Sequence, residues 1–335
     1  MTFIPLDRNA AVREQNDQLK QRFLLDSSQI LVAVKGQFIG VNNQPRYFSY
    51  QQLIKKGWTT SHDHQSLASE LLYLGQASKP AESTNLQSNP VTDYFVWLPS
   101  VDNQQLNQLL AKNQQSNDKL ALSTINIRVA AMVNPDFDVN LLIYAKGLVN
   151  WHFKNTFCAC CGHPSQISAS GHSRTCHNSQ CEQVHFPKIE PAVIFSIETI
   201  IDGESNLLLA RQASWAEKRY SVVAGFSEVG ETLEDSVKRE AMEEVGLAVE
   251  KIQYIASQPW PFPASLMIAF QCETKQSSIR LLDKELEHAA WFSANKLTTR
   301  VQSGELLLPF SFSVSWQLID RWYQQETGNQ LSSLV

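Results

Sequence analysis

The sequence predicts an α+β protein in which a mixed α/β domain, a small cysteine-containing module and a larger α+β domain follow one another. Strand-like and helix-like stretches alternate in the first part of the chain, and two pairs of cysteines lie close together in the middle. Strand patterns on both sides of a carboxylate-rich helix fill the last part. We therefore predict an N-terminal domain, a connecting helical segment, the cysteine module and a C-terminal domain over residues 1–125, 126–152, 153–188 and 189–335.

The N-terminal domain is predicted to contain both strands and helices. Ile30–Val41 is rich in β-branched residues and broken by glycines, which indicates paired strands, and Tyr94–Leu98 indicates another strand. Ser66–Gly75 is predicted as a short helix that ends at its glycine. Asn103–Asp118 is predicted as a helix because leucines recur at helical spacing, and a further helix is expected over Leu141–Lys154.

Composition and charge exclude several classes of protein. Hydrophobic residues make up 43% and charged residues 18% of the chain, and the net charge is −5, so no basic surface for tight non-specific nucleic-acid binding is expected. No run approaches the ~18 apolar residues of a membrane helix. The first residues, MTFIPLDRNAAVREQ, lack the basic-then-apolar pattern of a secretory signal. We therefore expect a cytoplasmic protein with no membrane partner.

Five of the six cysteines fall between Cys158 and Cys181, and such clustering without an export signal favours metal binding over disulfides. Cys158 and Cys161 form one pair, and Cys176 and Cys181 form a second. Four thiolates can close a tetrahedral Zn²⁺ site. Cys160 competes with Cys161, but the glycine after Cys161 suits the sharp turn of a metal knuckle.

Four histidines in the same stretch could replace a thiolate as ligands: His163, His172, His177 and His185. With four thiolates available, each is more often a polar loop residue. A site closed by four protein ligands implies a structural zinc, one per chain. The alternative is a set of unligated cysteines in a loop.

In the C-terminal domain, strand-like stretches flank Asp202-Gly203, a strong hairpin signal. More strands are expected around Tyr220–Ala224 and Leu266–Cys272, with a helix between them. That helix lies in Gly225–Leu247, and Thr232 can cap it. An apolar stripe that packs on the sheet is predicted from Leu233, Val237, Ala241 and Val245.

The same helix carries Glu240, Glu243 and Glu244 on neighbouring positions, where like charges repel one another. Hard divalent cations relieve that repulsion, and oxygen ligands suit Mg²⁺ or Mn²⁺. Arg239 can reach back to Glu231 and hold the preceding loop against the helix. The alternative is a solvated acidic helix face.

The stretch matches G-x5-E-x7-R-E-U-x-E-E-x-G-U, where U is aliphatic, and so resembles the Nudix box, with Ala241 where a larger aliphatic residue is usual. Resemblance to Nudix hydrolases implies an α/β/α sandwich and attack of a metal-activated water on a nucleoside diphosphate linked to another group. It implies that Glu240, Glu243 and Glu244 bind the metals and that Glu244 is the preferred base. Arg239 and Glu231 complete the implied catalytic set.

Ten residues past the box, Ser257–Ser265 reads SQPWPFPAS, in which alternate prolines stiffen an extended segment and place Trp260 and Phe262 on a rigid loop. From the residues alone, this segment could be a buried connection whose aromatic side chains fill space in the core. Together with FCxxCG at Phe157–Gly162 and YSVVAGF at Tyr220–Phe226, it resembles the signature of the NADH pyrophosphatase branch of zinc-containing Nudix hydrolases. Enzymes of that branch also remove NAD caps from RNA.

This second resemblance implies further site residues. Ala224, through its carbonyl, and Glu285 would bind catalytic metal, although Glu285 alone could equally be an exposed helical acid. Phe226 and Phe186 would sandwich a substrate base, with Phe186 supplied by the second chain of a homodimer. The remaining candidates for substrate binding are Gln258, Pro259, Trp260, Pro261, Phe262, Pro263, Ala264, Ser265 and Ser315.

The expected function is metal-dependent hydrolysis of NAD(H) to NMN(H) and AMP, with removal of NAD caps from RNA 5′ ends as a further activity. One alternative is a Nudix hydrolase of another dinucleotide, such as ADP-ribose or a diadenosine polyphosphate. The other is a module that binds a nucleotide or RNA without turnover. The intact set of charged residues in the box argues against it, because a non-catalytic protein has no physical reason to retain carboxylates that repel one another.

Overall fold

The computed structural model describes residues 6–58, 70–78, 91–114, 121–133, 137–282 and 284–335. The chain divides into two compact units, Met1–Lys188 and Ile189–Val335. The boundary between the units falls at the predicted end of the cysteine module. The finer division of the first unit into three segments stays a prediction.

Six described strands form a sheet in the first unit. They are β1 (Gln29–Val34), β2 (Gln37–Val41), β3 (Gln44–Pro45), β4 (Leu71–Ser78), β5 (Val91–Trp97) and β6 (Ser123–Thr124). Their order in space is β3-β2-β1-β5-β4, with β6 beside β2, and β1 and β5 run parallel. The strands predicted over Ile30–Val41 and Tyr94–Leu98 are therefore confirmed.

Helices cover and flank this sheet. They are α1 (Asn16–Phe23), α2 (Tyr50–Lys55), α3 (Asn103–Gln114), α4 (Ile127–Val133) and α5 (Phe137–Lys154), with a short 3₁₀ turn at Ala10–Val12. The helices predicted over Asn103–Asp118 and Leu141–Lys154 are confirmed where the structure describes them, and residues 115–118 lie outside the described residues.

The helix predicted over Ser66–Gly75 is wrong where the structure describes it, because Leu71–Ser78 is strand β4; the part before Glu70 lies outside the described residues. Leu71 to Leu74 are all buried, and a strand covered on both faces shows no alternation in its sequence. Gly75 does not end a helix. Its φ is +136°, and a Cβ there would lie 2.4 Å from the carbonyl oxygen of Asp7.

The cysteine module is a small antiparallel sheet ordered β7-β8-β9. Its strands are β7 (Ser165–Ser168), β8 (Ser173–Cys176) and β9 (Val184–His185), with a 3₁₀ turn at Ala169–Gly171. His152, at the end of α5, packs under the module and is only 2% exposed. The His152 Nδ1 atom lies 3.2 Å from Nη1 of Arg174, and its Nε2 lies 2.8 Å from the Gly171 carbonyl oxygen. Since an arginine can only donate, Nδ1 accepts and Nε2–H donates, so the ring is neutral.

The second unit contains another sheet of six described strands. They are β10 (Glu190–Ile201), β11 (Glu204–Arg211), β12 (Val223–Phe226), β13 (Glu250–Trp260), β14 (Ser265–Glu273) and β15 (His288–Ser293). The order is β13-β14-β10-β11-β15, with β12 beside β10, and β10 and β14 run parallel. The predicted hairpin is confirmed, since β10 and β11 pair antiparallel around Asp202 and Gly203.

Helices cover both faces of this second sheet. They are α6 (Leu233–Val245), α7 (Ala294–Gln302) and α8 (Val314–Thr327), with a 3₁₀ turn at Leu331–Leu334. Val193 and Phe195 of β10 pack in one core with α6, whereas Ile194 between them packs in a second core with α7 and α8. This alternation confirms the α/β/α sandwich. Across the described residues, every helix is too short or too polar to span a membrane.

Candidate functional site

Helix α6 carries the carboxylate site, and its ends are fixed by the signals that the sequence displays. The Thr232 hydroxyl accepts a hydrogen bond from the Asp235 amide at 3.2 Å, and Gly246 ends the helix in the left-handed conformation at φ 68°. The predicted stripe packs on the sheet. That packing places Glu240 and Glu244, one turn apart, at the edge of the core with only 8% and 1% of their surfaces exposed.

Gly225 packs closely against Glu240. A Cβ on Gly225 would lie 1.9 Å from the carboxyl carbon of Glu240, so a larger residue there would displace that carboxylate. The Glu240 carboxylate therefore rests against Gly225 of strand β12. Ala224, whose carbonyl is predicted to bind metal, directly precedes Gly225 on the same strand.

Arg239 ties the loop to the helix as predicted. Its guanidinium donates to both carboxylate oxygens of Glu231 at 2.6 and 3.0 Å and to the Phe226 carbonyl at 2.8 Å. It also donates to one oxygen of Glu240 at 2.8 Å and one of Glu243 at 2.9 Å. A bidentate arginine–carboxylate pair has a fixed geometry, so Arg239 sets the position of the loop and of two candidate metal ligands together.

The pKa directions follow from these contacts. The Arg239 guanidinium, with help from the Glu228 amide, lowers the pKa of Glu231 to about 2. The carboxylates that accept from Arg239 raise its pKa, and Glu231 has the largest effect. Burial raises the pKa of Glu240, and the negative charges of Glu243 and Glu285 raise it further. The carboxylates thus form a region of excess negative charge around one guanidinium, which favours a cation.

Glu285 is exposed and lies close enough for its charge to act on Glu240, although 45 positions separate them in the sequence. The fold therefore brings this predicted ligand towards the box. Glu243 is the more open of the helix carboxylates, with 53% of its side chain exposed, and it faces the solvent side of Arg239.

The SQPWPFPAS segment differs from the predicted rigid loop. Its first half continues strand β13, because Ser257 to Trp260 pair in register with Ile268 to Ser265 of β14. Only residues 261–264 form a turn, in which the Phe262–Pro263 peptide is cis. Gln258 is 3% exposed, and its amide donates to the Phe312 carbonyl at 2.8 Å and accepts from the Val314 amide at 2.7 Å. In the structure Gln258 positions the start of helix α8.

The aromatic side chains of this turn pack with partners that the sequence analysis did not find. The Trp260 and Phe312 rings stack with centroids 5.7 Å apart, and Phe262 meets Trp260 edge-on at 5.3 Å. Phe310 stacks on Phe312, and the Arg219 guanidinium lies 4.5 Å from the Phe310 ring centre. The alternating aromatics in the run from Leu308 to Ser313 are the signal that could have indicated this cluster.

The other predicted substrate-binding residues vary in accessibility. Phe226 is 56% exposed and Phe186, in the first unit, is 65% exposed. Ser315 is 5% exposed, with its hydroxyl 2.6 Å from that of Ser221. In the turn and the strand ends beside it, Pro259 and Pro263 are exposed, Ala264 is half-buried, and Pro261 and Ser265 are buried.

In the first unit, the structure brings together the four cysteines selected from their spacing. The Sγ atoms of Cys158, Cys161, Cys176 and Cys181 all lie within 4.8 Å of one another. Zn–S bonds of ~2.3 Å in a tetrahedron put sulfurs roughly 3.8 Å apart, so the donor set and its spacing fit zinc. Cys160 is exposed and outside this group.

Comparisons with known proteins agree with the geometry of the second unit. The NUDIX domain family matches residues 191–308. The mitochondrial NAD(P)H pyrophosphatase NUDT13 of Mus musculus is 38% identical over 229 residues, covering 64% of this chain and 63% of that protein. Its Homo sapiens counterpart is 37% identical over 223 residues, covering 62% of each. The NAD-capped RNA hydrolase NudC of Mycobacterium tuberculosis is 36% identical over 207 residues, covering 59% of this chain and 64% of that protein.

The chain spans somewhat less than two thirds of the length of these relatives. The part of the chain that matches the NUDIX domain family, residues 191–308, contains the carboxylate site. Beyond that match, the chain resembles the NADH pyrophosphatase family, which confirms the resemblance predicted from the motifs.

Proposed function

We propose that the chain is a metal-dependent hydrolase that adds water across the pyrophosphate bond of NAD(H), giving NMN(H) and AMP, and that it cleaves the same bond in NAD-capped RNA 5′ ends. The observation that carries the proposal is the pair of buried carboxylates, Glu240 and Glu244, of which Glu240 packs against Gly225 of β12. The names of the relatives, NAD(P)H pyrophosphatase and NAD-capped RNA hydrolase, support the choice of substrate.

The carboxylate site fits Mg²⁺ or Mn²⁺, because it offers only oxygen donors and an excess of negative charge. Glu240, Glu243, Glu244, Glu285 and the Ala224 carbonyl would hold the metal. When bound, a divalent ion polarises the phosphoryl oxygens and lowers the pKa of a bound water.

The chain's own residues have distinct roles in this proposal. Glu244 takes the proton of the attacking water, and Arg239 keeps Glu231 and the loop fixed so that the carboxylates keep their positions. Phe226 offers an exposed ring for stacking on a base. The Trp260 ring stacks on Phe312 and meets Phe262 edge-on, so these side chains are held in place. Trp260 and Phe262 contact the rest of the dinucleotide.

The four-cysteine cluster is proposed to hold one structural Zn²⁺, since all four donors come from protein and no position is open for a substrate. The active species is proposed to be a homodimer in which Phe186 of one chain completes the base-binding site of the other. The exposed ring of Phe186 supports this role, because an aromatic side chain with 65% of its surface exposed gains stability by burial in a partner.

The test is turnover by the purified chain with Mg²⁺ or Mn²⁺, with products separated by chromatography. NADH and NAD⁺ are compared with ADP-ribose, a diadenosine polyphosphate and NAD-capped RNA at equal concentrations. The proposal expects NMN(H) and AMP, and a 5′-monophosphate RNA end from the capped substrate. Preference for ADP-ribose or the diadenosine compound would replace the substrate assignment, and no turnover of any dinucleotide would end the proposal of an enzyme.

A further inference from the structure

We propose that His185 is a positioning residue that donates a hydrogen bond to the Cys158 thiolate and thereby links the four-cysteine cluster to the base-stacking residue Phe186. The His185 Nε2 atom lies 3.2 Å from the Cys158 Sγ atom, which is within hydrogen-bonding distance for sulfur. The proposal rests on the zinc site and on the role of Phe186 in the proposed function.

Pairing with the neighbouring strand β8 holds the backbone of His185 in this position. Its strand β9 pairs antiparallel with β8, in which Arg174 is the partner of His185. Just beyond that pair, the Cys176 amide donates to the Gln183 carbonyl at 3.0 Å. Strand β8 therefore carries one cysteine of the cluster and also fixes the backbone that presents the imidazole to another.

The adjacency of the two residues explains why this bond matters for Phe186. Phe186 directly follows His185, the last residue of strand β9. His185 is half-buried with its ring against the Cys158 sulfur, whereas Phe186 is 65% exposed. A hydrogen bond that fixes the imidazole therefore restrains the backbone from which Phe186 projects.

A thiolate that binds zinc keeps lone pairs that accept hydrogen bonds, and such outer partners orient ligands and tune metal affinity. Four thiolates give a zinc site a net charge of −2, and a neutral N–H donor at one sulfur offsets part of it. His177 offers a matched contrast in the same module: its Nε2 atom lies 2.7 Å from the Gln166 side-chain oxygen and makes no contact with a sulfur in the described structure.

The experiment compares the full chain with His185→Leu, His185→Gln and His177→Leu. Zinc content is measured by elemental analysis, zinc affinity by competition with a chromogenic chelator, and folding by circular dichroism. Loss of an outer-shell partner typically weakens metal binding by about 10–100-fold. We expect that loss for His185→Leu, partial recovery for His185→Gln because its amide can donate, and no change for His177→Leu.

A second measurement tests the link to Phe186. With saturating zinc, His185→Leu should raise KM for NADH by about threefold to tenfold with kcat little changed, since only part of the stacking on the base is lost. Unchanged zinc affinity in His185→Leu would overturn the proposal. Equal zinc loss in His185→Leu and His185→Gln would also overturn it, because His185 would then be a direct ligand. A wild-type chain that holds no zinc would instead refute the zinc assignment in the proposed function.

Discussion

The cysteine cluster and the carboxylate helix both gather ligand atoms that repel one another, but they do so in opposite ways. The four sulfurs lie within 4.8 Å of one another, so together they can fill all four positions around a tetrahedral metal. On helix α6, Glu240 and Glu244 are buried, whereas Glu243 is open to solvent. A closed ligand set holds a metal for folding, whereas an open one leaves coordination positions for substrate and water.

The largest effect is expected from Cys161→Ser, with Cys160→Ser as the matched control. Removing one of four zinc ligands should abolish zinc binding and destabilise the first unit on the order of 5 kcal/mol, because zinc binding contributes directly to folding. Cys160 is exposed and outside the cluster, so its variant should keep about one zinc per chain. Elemental analysis and thermal melts give the answer. The reverse pattern would mean that Cys160 is the ligand and that the cluster rearranges.

The open site is tested by Glu244→Gln. The substitution removes a charged ligand and keeps the shape of the side chain, so kcat should fall by about 10²-fold or more. The fold should persist, because the change relieves like-charge repulsion on α6. Glu234→Gln, an exposed glutamate in the first turn of the same helix, is the control and should be nearly silent. Near-normal turnover of Glu244→Gln in saturating Mn²⁺ would remove Glu244 from the mechanism.

The two sites were also predictable to different degrees. The cysteine set follows from spacing, since Cys161 and the glycine after it fit a knuckle, and the structure gathers the same four residues. The helix, its Thr232 cap and the Arg239–Glu231 pair follow from local patterns in the box. Such patterns suffice because the partners lie near one another in the sequence: Glu231 and Arg239 are 8 positions apart, and the four cysteines fall within 24 residues.

Sequence patterns predicted the wrong structure where long-range pairing between strands decides it. The buried run at β4 has no period that separates a strand from a buried helix, and only pairing with β5 makes it a strand. Trp260 was assigned to a loop because of the prolines around it, but pairing with β14 extends β13 to that residue. Its stacking partner Phe312 lies 52 positions away. The alternating aromatics around Phe312 indicate a cluster, but they do not show that Trp260 belongs to it.

The two units also differ in the pH dependence expected of their stability. Burial lowers the pKa of His152, in the first unit, to about 4, from an ordinary value near 6.5. Between these values the unfolded chain binds the proton and the folded chain does not. Stability is therefore present above pH 6.5 and lost as the pH falls toward 4, by about 2–3 kcal/mol. In the second unit burial raises the pKa of Glu198 to about 7, from an ordinary value of 4.5. Between these values the folded chain binds the proton and the unfolded chain does not, so the contribution of Glu198 to stability is lost as the pH rises from 4.5 to 7.

The measurement is chemical denaturation of wild type and His152→Gln between pH 4 and 7.5. Glutamine has a donor for the Gly171 carbonyl and an acceptor for Arg174, but it does not titrate. Its stability should therefore fall less steeply than that of wild type below pH 6.5. His177→Gln, at an exposed position, should follow the wild-type curve. Parallel curves for wild type and His152→Gln would show that His152 is not kept neutral by burial.

The smallest expected effect concerns Phe186, on which the proposal of a shared site depends. Since stacking on a base is worth ~1–3 kcal/mol, Phe186→Ala should lower kcat/KM for NADH by about tenfold to a hundredfold, and Phe186→Tyr should be nearly neutral. If Phe186 instead only stabilised the first unit, alanine would lower the melting temperature and spare kcat/KM. Thermal melts beside the kinetics separate the two outcomes.

A mixing experiment then tests whether Phe186 acts on its own chain or on its partner. Phe186→Ala chains are mixed with Glu244→Gln chains under conditions of verified subunit exchange. In a symmetric dimer with shared sites, each heterodimer has one site with Glu244 from one chain and Phe186 from the other, both wild type. Random exchange at equal ratio makes about half the dimers mixed, so about a quarter of wild-type activity should return. If Phe186 acts within its own chain, mixing gives only the average of the two variants, because a Phe186→Ala chain keeps its defect in every dimer.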